Sequence, residues 1–232
     1  MISAAHRAFV EAGAEIIASA SYQASVAGFM GIGLSQSKAE SLLIGSVALA
    51  RAATAGYPHT LVAASLGPWG AAQADGSEYT GAYDTDLQVL RTFHRERLML
   101  MDQSGADVLA LETIPNLDEA QVLADCLREA TTPAWVSFCC RDSESLSDGA
   151  AIEQAVALFD GHPTVLALGI NCTAPGNVPR LLRRMRAATT LPVLVYPNSG
   201  EQYDVLDRCW IGEVAAGLAG EAAMDWIAQG AK

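Results

Sequence analysis

Apolar residues fall into two patterns along the chain, short uninterrupted runs and longer stretches in which they recur at helical spacing, and the two alternate regularly. Six runs read as strands: Glu15–Ala20 (EIIASA), Leu61–Leu66 (LVAASL), Asp107–Leu111 (DVLAL), Ala134–Phe138 (AWVSF), Thr164–Ile170 (TVLALGI) and Pro192–Tyr196 (PVLVY). Continuous apolar runs without polar alternation mark parallel strands covered on both faces. Helical spacing predicts helices over Ile2–Ala12, Ser37–Ala55, Asp84–Ser104, Leu117–Ala130, Gly149–Asp160, Val178–Ala188 and Gly212–Gln229. Gly13, Gly56 and Gly105 are the stops of the first three, and Asp84 and Asp118 are expected as caps or first-turn acids.

Alternating strands and helices leave two architectures, a doubly wound open sheet or a (β/α)8 barrel of TIM type. Segments after strands are long or rich in polar groups (SASYQ, GPWGAAQADGSEYTG, ETIP, CCRDSESLSDG, NCTAPGN, PNSGEQYD), whereas those before strands are short. Reactive groups at the C-terminal ends of nearly every strand fit the barrel; an open sheet gathers them at one switch point. No GxGxxG or Walker-type loop follows a strand, which argues against nucleotide binding. About six of the eight βα units of a closed barrel are present; the chain starts on a helix and ends at AQGAK, where a helix hands over to a strand. It reads as a single domain over residues 1–232, incomplete at both ends.

Composition narrows the partners. In 232 residues, 26 acidic against 14 basic side chains give a formal charge of −12, unsuited to phosphate backbones or anionic membrane. No apolar run approaches the roughly 18 residues of a bilayer span, and the N-terminus lacks the layout of a secretory leader. Five cysteines without framework spacing fit a reducing, cytoplasmic setting.

Candidate chemistry sits in the segments after the strands. Cys172, in GINCTAP, is a candidate metal ligand or nucleophile, or else a small buried hydrophobe; Asn171 precedes it at the strand end. Glu112, in LALETIP, ends an apolar strand, where a carboxylate either binds a substrate ammonium or pairs with a neighbouring cation. Ser19, Ser21, Tyr22 and Gln23 form a polar cluster suited to a small zwitterion. The stretches Gly67–Tyr83 and Tyr196–Asp204 are either adaptable ligand loops or plain surface loops. Cys139 and Cys140 read as packing residues, although a second thiol ligand there is geometrically conceivable, and Cys126, Cys209 and the four histidines read as structural or solvent-facing.

GPWGAAQADGSEYTGAY, LALETIPNLDEA, VSFCCRDSESLSDG, GINCTAP and YPNSGEQYD, in that order, closely resemble the zinc-dependent homocysteine S-methyltransferases, particularly those using S-methylmethionine. The resemblance runs from about Ile2 to Lys232 and implies a homocysteine-binding (β/α)8 barrel in which three cysteines hold Zn²⁺, Cys172 being the one in the NCT motif. It further implies that the metal-bound homocysteine thiolate takes a methyl group from S-methylmethionine or S-adenosylmethionine, giving methionine. Glu112 would grip the homocysteine amine, with Ser19, Ser21 and Asn171 as further substrate-binding candidates. The family's GGCC pair and the DGA motif of its first strand have no counterpart in this sequence. That departure raises the alternative of a catalytically inactive partial barrel that binds a small amino acid or a partner without metal. Open barrel edges lead to the expectation of a homo-oligomer or of aggregation.

Overall fold

The structure, a computed structural model, describes residues 1–204, 209–212 and 220–232. Six parallel strands form one sheet in simple sequence order: β1 (Ile16–Ala18), β2 (Leu61–Leu66), β3 (Val108–Ile114), β4 (Ala134–Phe138), β5 (Val165–Asn171) and β6 (Val193–Tyr196). Each expected strand is present, and the sheet curls into a half-barrel, a partial version of the TIM type.

The helices are α1 (Ile2–Glu11), α2 (Val26–Gly31), α3 (Gln36–Ala53), α4 (Trp69–Gln73), α5 (Leu87–Asp102), α6 (Leu117–Cys126), α7 (Ile152–Phe159) and α8 (Val178–Ala188). The short β7 (Gln202–Asp204) and β8 (Cys209–Ile211) pair antiparallel after β6, and α9 (Glu221–Ala228) closes the described chain.

Strand residues alternate between two apolar layers. Val62, Ala64, Leu66, Leu109, Leu111, Val136, Phe138, Leu168 and Ile170 join Leu43, Leu98, Leu123, Phe159 and Leu181 in the main core. Ala63, Val108 and Ala110 form a second, small cluster with Trp135 against it. This two-sided burial is why the strands lack polar alternation. At Gly169 an added Cβ would stand 2.9 Å from Ser137 Cβ and 3.2 Å from Leu194 O, so only glycine fits where β4, β5 and β6 run side by side.

Helix boundaries follow local chemistry. Gly13, Gly56 and Gly105 do stop their helices, with φ of 99°, 87° and 80°. Asp84 is not a cap: Asp86 is, accepting from Val89 N at 2.9 Å, so α5 starts at Leu87. Asp118 lies in the first turn of α6 as expected, but Asn116 is the cap. The helix expected from Gly149 begins at Ile152, because Gly149 adopts φ 98° in a turn closed onto Leu146 O. Of the helix expected over Gly212–Gln229, residues 213–219 lie outside the described residues and Glu221–Ala228 is helical. Unforeseen were α2, capped by Ser25 on Gly28 N at 3.0 Å, α4, within a stretch expected as a loop, and the β7–β8 hairpin.

Among the described residues β1 pairs in the sheet with β2 alone, and β6 pairs with β5. Beyond β6, Lys232 N donates to Val193 O at 2.9 Å and Ala231 bridges Val193 in parallel.

Candidate functional site

All strand C-termini open at one end of the half-barrel, and β3 shapes it. Its register against β4 shifts between Leu111 and Ile114, and Glu112 and Thr113 lie in that irregularity. Thr113 takes φ 65°, a left-handed conformation that costs a β-branched residue roughly 1–3 kcal/mol and persists only where its surroundings dictate it. Here Asn171 dictates it: Oδ1 accepts from Thr113 N at 2.8 Å and Nδ2 donates to Thr113 Oγ1 at 2.7 Å.

Cys172, the next residue, is also left-handed at φ 47°. Its Sγ receives Thr113 Oγ1–H at 3.6 Å and Asn171 Nδ2–H at 3.4 Å. Burial raises the thiol above its ordinary range, helped by the charge of Glu112, while these two donors act in the opposite sense. The result is a half-buried sulfur with donors already aimed at it.

Glu112 is gripped from both sides. Ser65 Oγ donates to Oε1 at 2.5 Å, and Tyr196 OH donates a second bond. Tyr196 OH accepts from Trp135 Nε1 at 3.0 Å and lies 2.5 Å from Ser137 Oγ. Burial pushes the Glu112 carboxyl up, and the two hydroxyls pull the other way.

Ser19 and Ser21 are 4% and 1% exposed and act on Ser65 rather than on open space. Ser65 N donates to Ser19 Oγ at 3.1 Å, the two serine oxygens are 2.7 Å apart, and Ser21 Oγ donates to Ser65 O at 2.7 Å. With the Ser21 proton on that carbonyl, Ser19 donates to Ser21, and the ring closes around the Ser65 backbone. Asn171 is likewise 2% exposed and committed to Thr113 and Cys172. Of the predicted residues, Cys172, Glu112 and Asn171 are thus brought directly together, with Ser19 and Ser21 one residue removed, behind Ser65.

Two buried charges were missed. Arg97, 1% exposed, donates to Gly67 O at 2.7 Å, Tyr22 O at 2.9 Å and Ser21 O at 3.4 Å, and lies over the Phe93 ring at 4.7 Å. Burial lowers its pKa to about 10, opposed by the charge of Glu119. Glu119 is fully buried and accepts from Trp69 N at 2.6 Å and Tyr83 OH at 2.9 Å, with His94 Nε2 at 2.6 Å. Together they fix the segments after β1 and β2. The signal was present in α5: Leu90, Phe93, His94, Arg97, Leu98 and Met101 share its buried stripe, so the helical period already put Arg97 and His94 inside.

The Gly67–Tyr83 stretch is built, not loose. It contains α4 and a 3₁₀ turn at Ser77–Tyr79, and a Cβ at Gly67 would collide with the Tyr22 ring at 2.7 Å. Cys139 and Cys140 are buried packing residues. Burial raises the Cys139 thiol to about 12, and its Sγ donates to Cys172 O at 3.3 Å. His94 and His162 are buried, His162 bonding Ala124 O at 3.0 Å, while His59 is exposed.

These features define a (β/α)-barrel protein whose mouth carries one half-buried thiol beside a hydroxyl-gripped carboxylate. The chain belongs to the homocysteine S-methyltransferase family, whose sequence model matches residues 1–232. It is 44% identical over 242 residues to a homocysteine S-methyltransferase of Escherichia coli (strain K12), covering 100% of this chain and 78% of that protein. It is 42% identical over 236 residues to a selenocysteine Se-methyltransferase of Brassica oleracea var. italica, covering 94% of this chain and 68% of that one. Among solved structures, the metallated form of the E. coli homocysteine methyltransferase MmuM matches with TM-score 0.85 at 40% identity, over 99% of this chain and 77% of that chain.

The zinc that the resemblance implies can be tested against the donors present. Catalytic zinc sites take three protein ligands. Among the described residues no group of three or more His, Cys, Asp or Glu is arranged to hold a metal ion, and one thiol, Cys172, faces the mouth. These residues do not by themselves make the site. Elemental analysis of the purified 232-residue chain is expected to find well below one zinc per chain; a retained stoichiometry near one contradicts this assessment.

Proposed function

We propose that this chain acts in methyl transfer from a sulfonium compound, S-methylmethionine or S-adenosylmethionine, to the thiol of homocysteine, giving methionine. The observation that carries the proposal is Glu112, a carboxylate held by Ser65 and Tyr196 beside the Cys172 thiol, in a chain of this family. Homocysteine offers an ammonium group and a sulfur in one small molecule. Glu112 takes the ammonium, because a half-buried acid raised by desolvation gains most from an arriving cation.

Each remaining candidate has a part. Ser19 and Ser21 position the Ser65 backbone, and through it the hydroxyl on Glu112. Asn171 holds Cys172 and Thr113 in their left-handed conformations, pointing the sulfur at the mouth. Cys172 is the proposed catalytic thiol and the zinc ligand that these residues offer, one where catalytic zinc takes three protein ligands. No helix of the described residues is long and apolar enough to cross a membrane, and a net charge of −12 disfavours nucleic acid. Free cysteines suit a reducing cytoplasm.

A second reading rests on the lone thiol: a partial barrel that binds the amino acid without metal or turnover. Calorimetric titration with homocysteine, followed by mass-spectrometric assay for methionine with zinc and S-methylmethionine supplied, separates the two. Binding is expected in both, weakened on the order of tenfold or more by Glu112→Gln. Methionine supports transfer, and binding without methionine selects the second reading. Failure to bind homocysteine, or binding indifferent to Glu112→Gln, contradicts both.

We also propose that copies associate through the sheet edges at β1 and β6, where strand hydrogen-bonding groups lack a full partner strand among the described residues. Light scattering behind size exclusion is expected to report masses above a monomer. A sharp monomer peak with cooperative melting would rule it out.

A further inference from the structure

Glu78 stands in the 3₁₀ turn after β2 and is 6% exposed. Gly70 allows that burial: a Cβ there would come within 2.4 Å of Glu78 N, so the turn lies directly on α4. Among the described residues, Oε2 of Glu78 has no hydrogen-bond partner, and no Arg, Lys or His forms an ion pair with it. Burial pushes this carboxyl up, the backbone N–H of Glu78 itself works against that, Asp75 adds to the rise, and the N–H of Gly76 also opposes it. A buried carboxylate without a counter-ion is costly to keep.

The surroundings of Glu78 point to what would relieve that cost. It lies within electrostatic reach of Tyr22 after β1, Cys139 after β4 and Cys172 after β5, so it addresses the mouth from the loop after β2. The same thiol also feels Glu112. Two acids therefore act on one sulfur position; Glu112 has side-chain donors on it, while Oε2 of Glu78 has none among the described residues. The reaction proposed above brings two cationic groups to this place, the ammonium of homocysteine and the sulfonium of the donor.

We propose that Glu78 receives the positive sulfur of the methyl donor, so that the site selects a sulfonium over its neutral thioether. The inference rests on the proposed function. In the transfer, the S–CH₃ bond of the sulfonium breaks with its electron pair staying on that sulfur. A new S–CH₃ bond forms on homocysteine, whose thiol proton leaves to solvent. The donor ends as a neutral thioether, so its attraction to Glu78 vanishes with the methyl group and release is favoured.

S-Methylmethionine and methionine differ by one methyl group and one positive charge, and they are the probes. Calorimetry on wild type, Glu78→Gln and Glu78→Asp would use both, with homocysteine as the reference ligand and thermal melting to verify folding. Glu78→Gln is expected to weaken S-methylmethionine by on the order of tenfold or more, and methionine and homocysteine by less than about twofold. Glu78→Asp, which keeps the charge, should recover part of the loss. Equal losses for the two probes, or unchanged S-methylmethionine binding in Glu78→Gln, would overturn the assignment. If wild type binds homocysteine and S-methylmethionine yet Glu78→Gln leaves the latter untouched, only the role of Glu78 fails. If wild type binds none of the three ligands, the proposed function fails with it.

Discussion

The clasp between Thr113 and Asn171 is the interaction on which the mouth depends. One side-chain amide accepts a backbone N–H and donates to a hydroxyl of the same residue, joining the ends of two strands that are not neighbours in the sheet. Without it nothing would compel a threonine into φ 65°. Because β3 turns there, Glu112 meets Ser65 and Tyr196, and because the amide also reaches Sγ, Cys172 is presented with its donors in place. Strain at the ends of β3 and β5 is thus converted into the position of an acid and a thiol.

A layer of buried charge supports the rim. Arg97 meets three backbone carbonyls and an aromatic face, and Glu119 meets a backbone N–H, a tyrosine and a histidine. Buried ions are weak contributors to net stability, but they are exacting about geometry, since removing one partner leaves the other uncompensated. Here they tie the segments after β1 and β2 to α5 and α6. The Ser19–Ser21 ring then carries that fixity to Ser65 and on to Glu112.

Much of this architecture was legible because burial on both faces writes itself as unbroken apolar runs. LVAASL and AWVSF are strands over their full predicted spans, while EIIASA shortened to Ile16–Ala18 at the edge of the sheet, where β1 has one partner strand among the described residues. The β7–β8 hairpin carries no such run, and α2 is only six residues long, too short for a helical period to register. At the site, Glu112 and Cys172 were visible as polar interruptions at the ends of apolar strands. The tasks of Ser19, Ser21 and Asn171 were not, because a hydroxyl or amide looks the same in sequence whether it faces a ligand or clamps a backbone. Glu78 was visible as an acid in a glycine-rich stretch that could meet a cation, but its lack of a partner on Oε2 among the described residues, like the positive φ of Thr113, is a property of three dimensions.

The central claim is that Glu112 and Cys172 frame the place of one amino acid. A crystal structure of the chain soaked with methionine tests it most directly. The account predicts the ammonium within hydrogen-bonding distance of the Glu112 carboxylate and the thioether sulfur directed at Cys172. Methionine bound elsewhere, or bound at the mouth with its carboxylate rather than its ammonium toward Glu112, would contradict it.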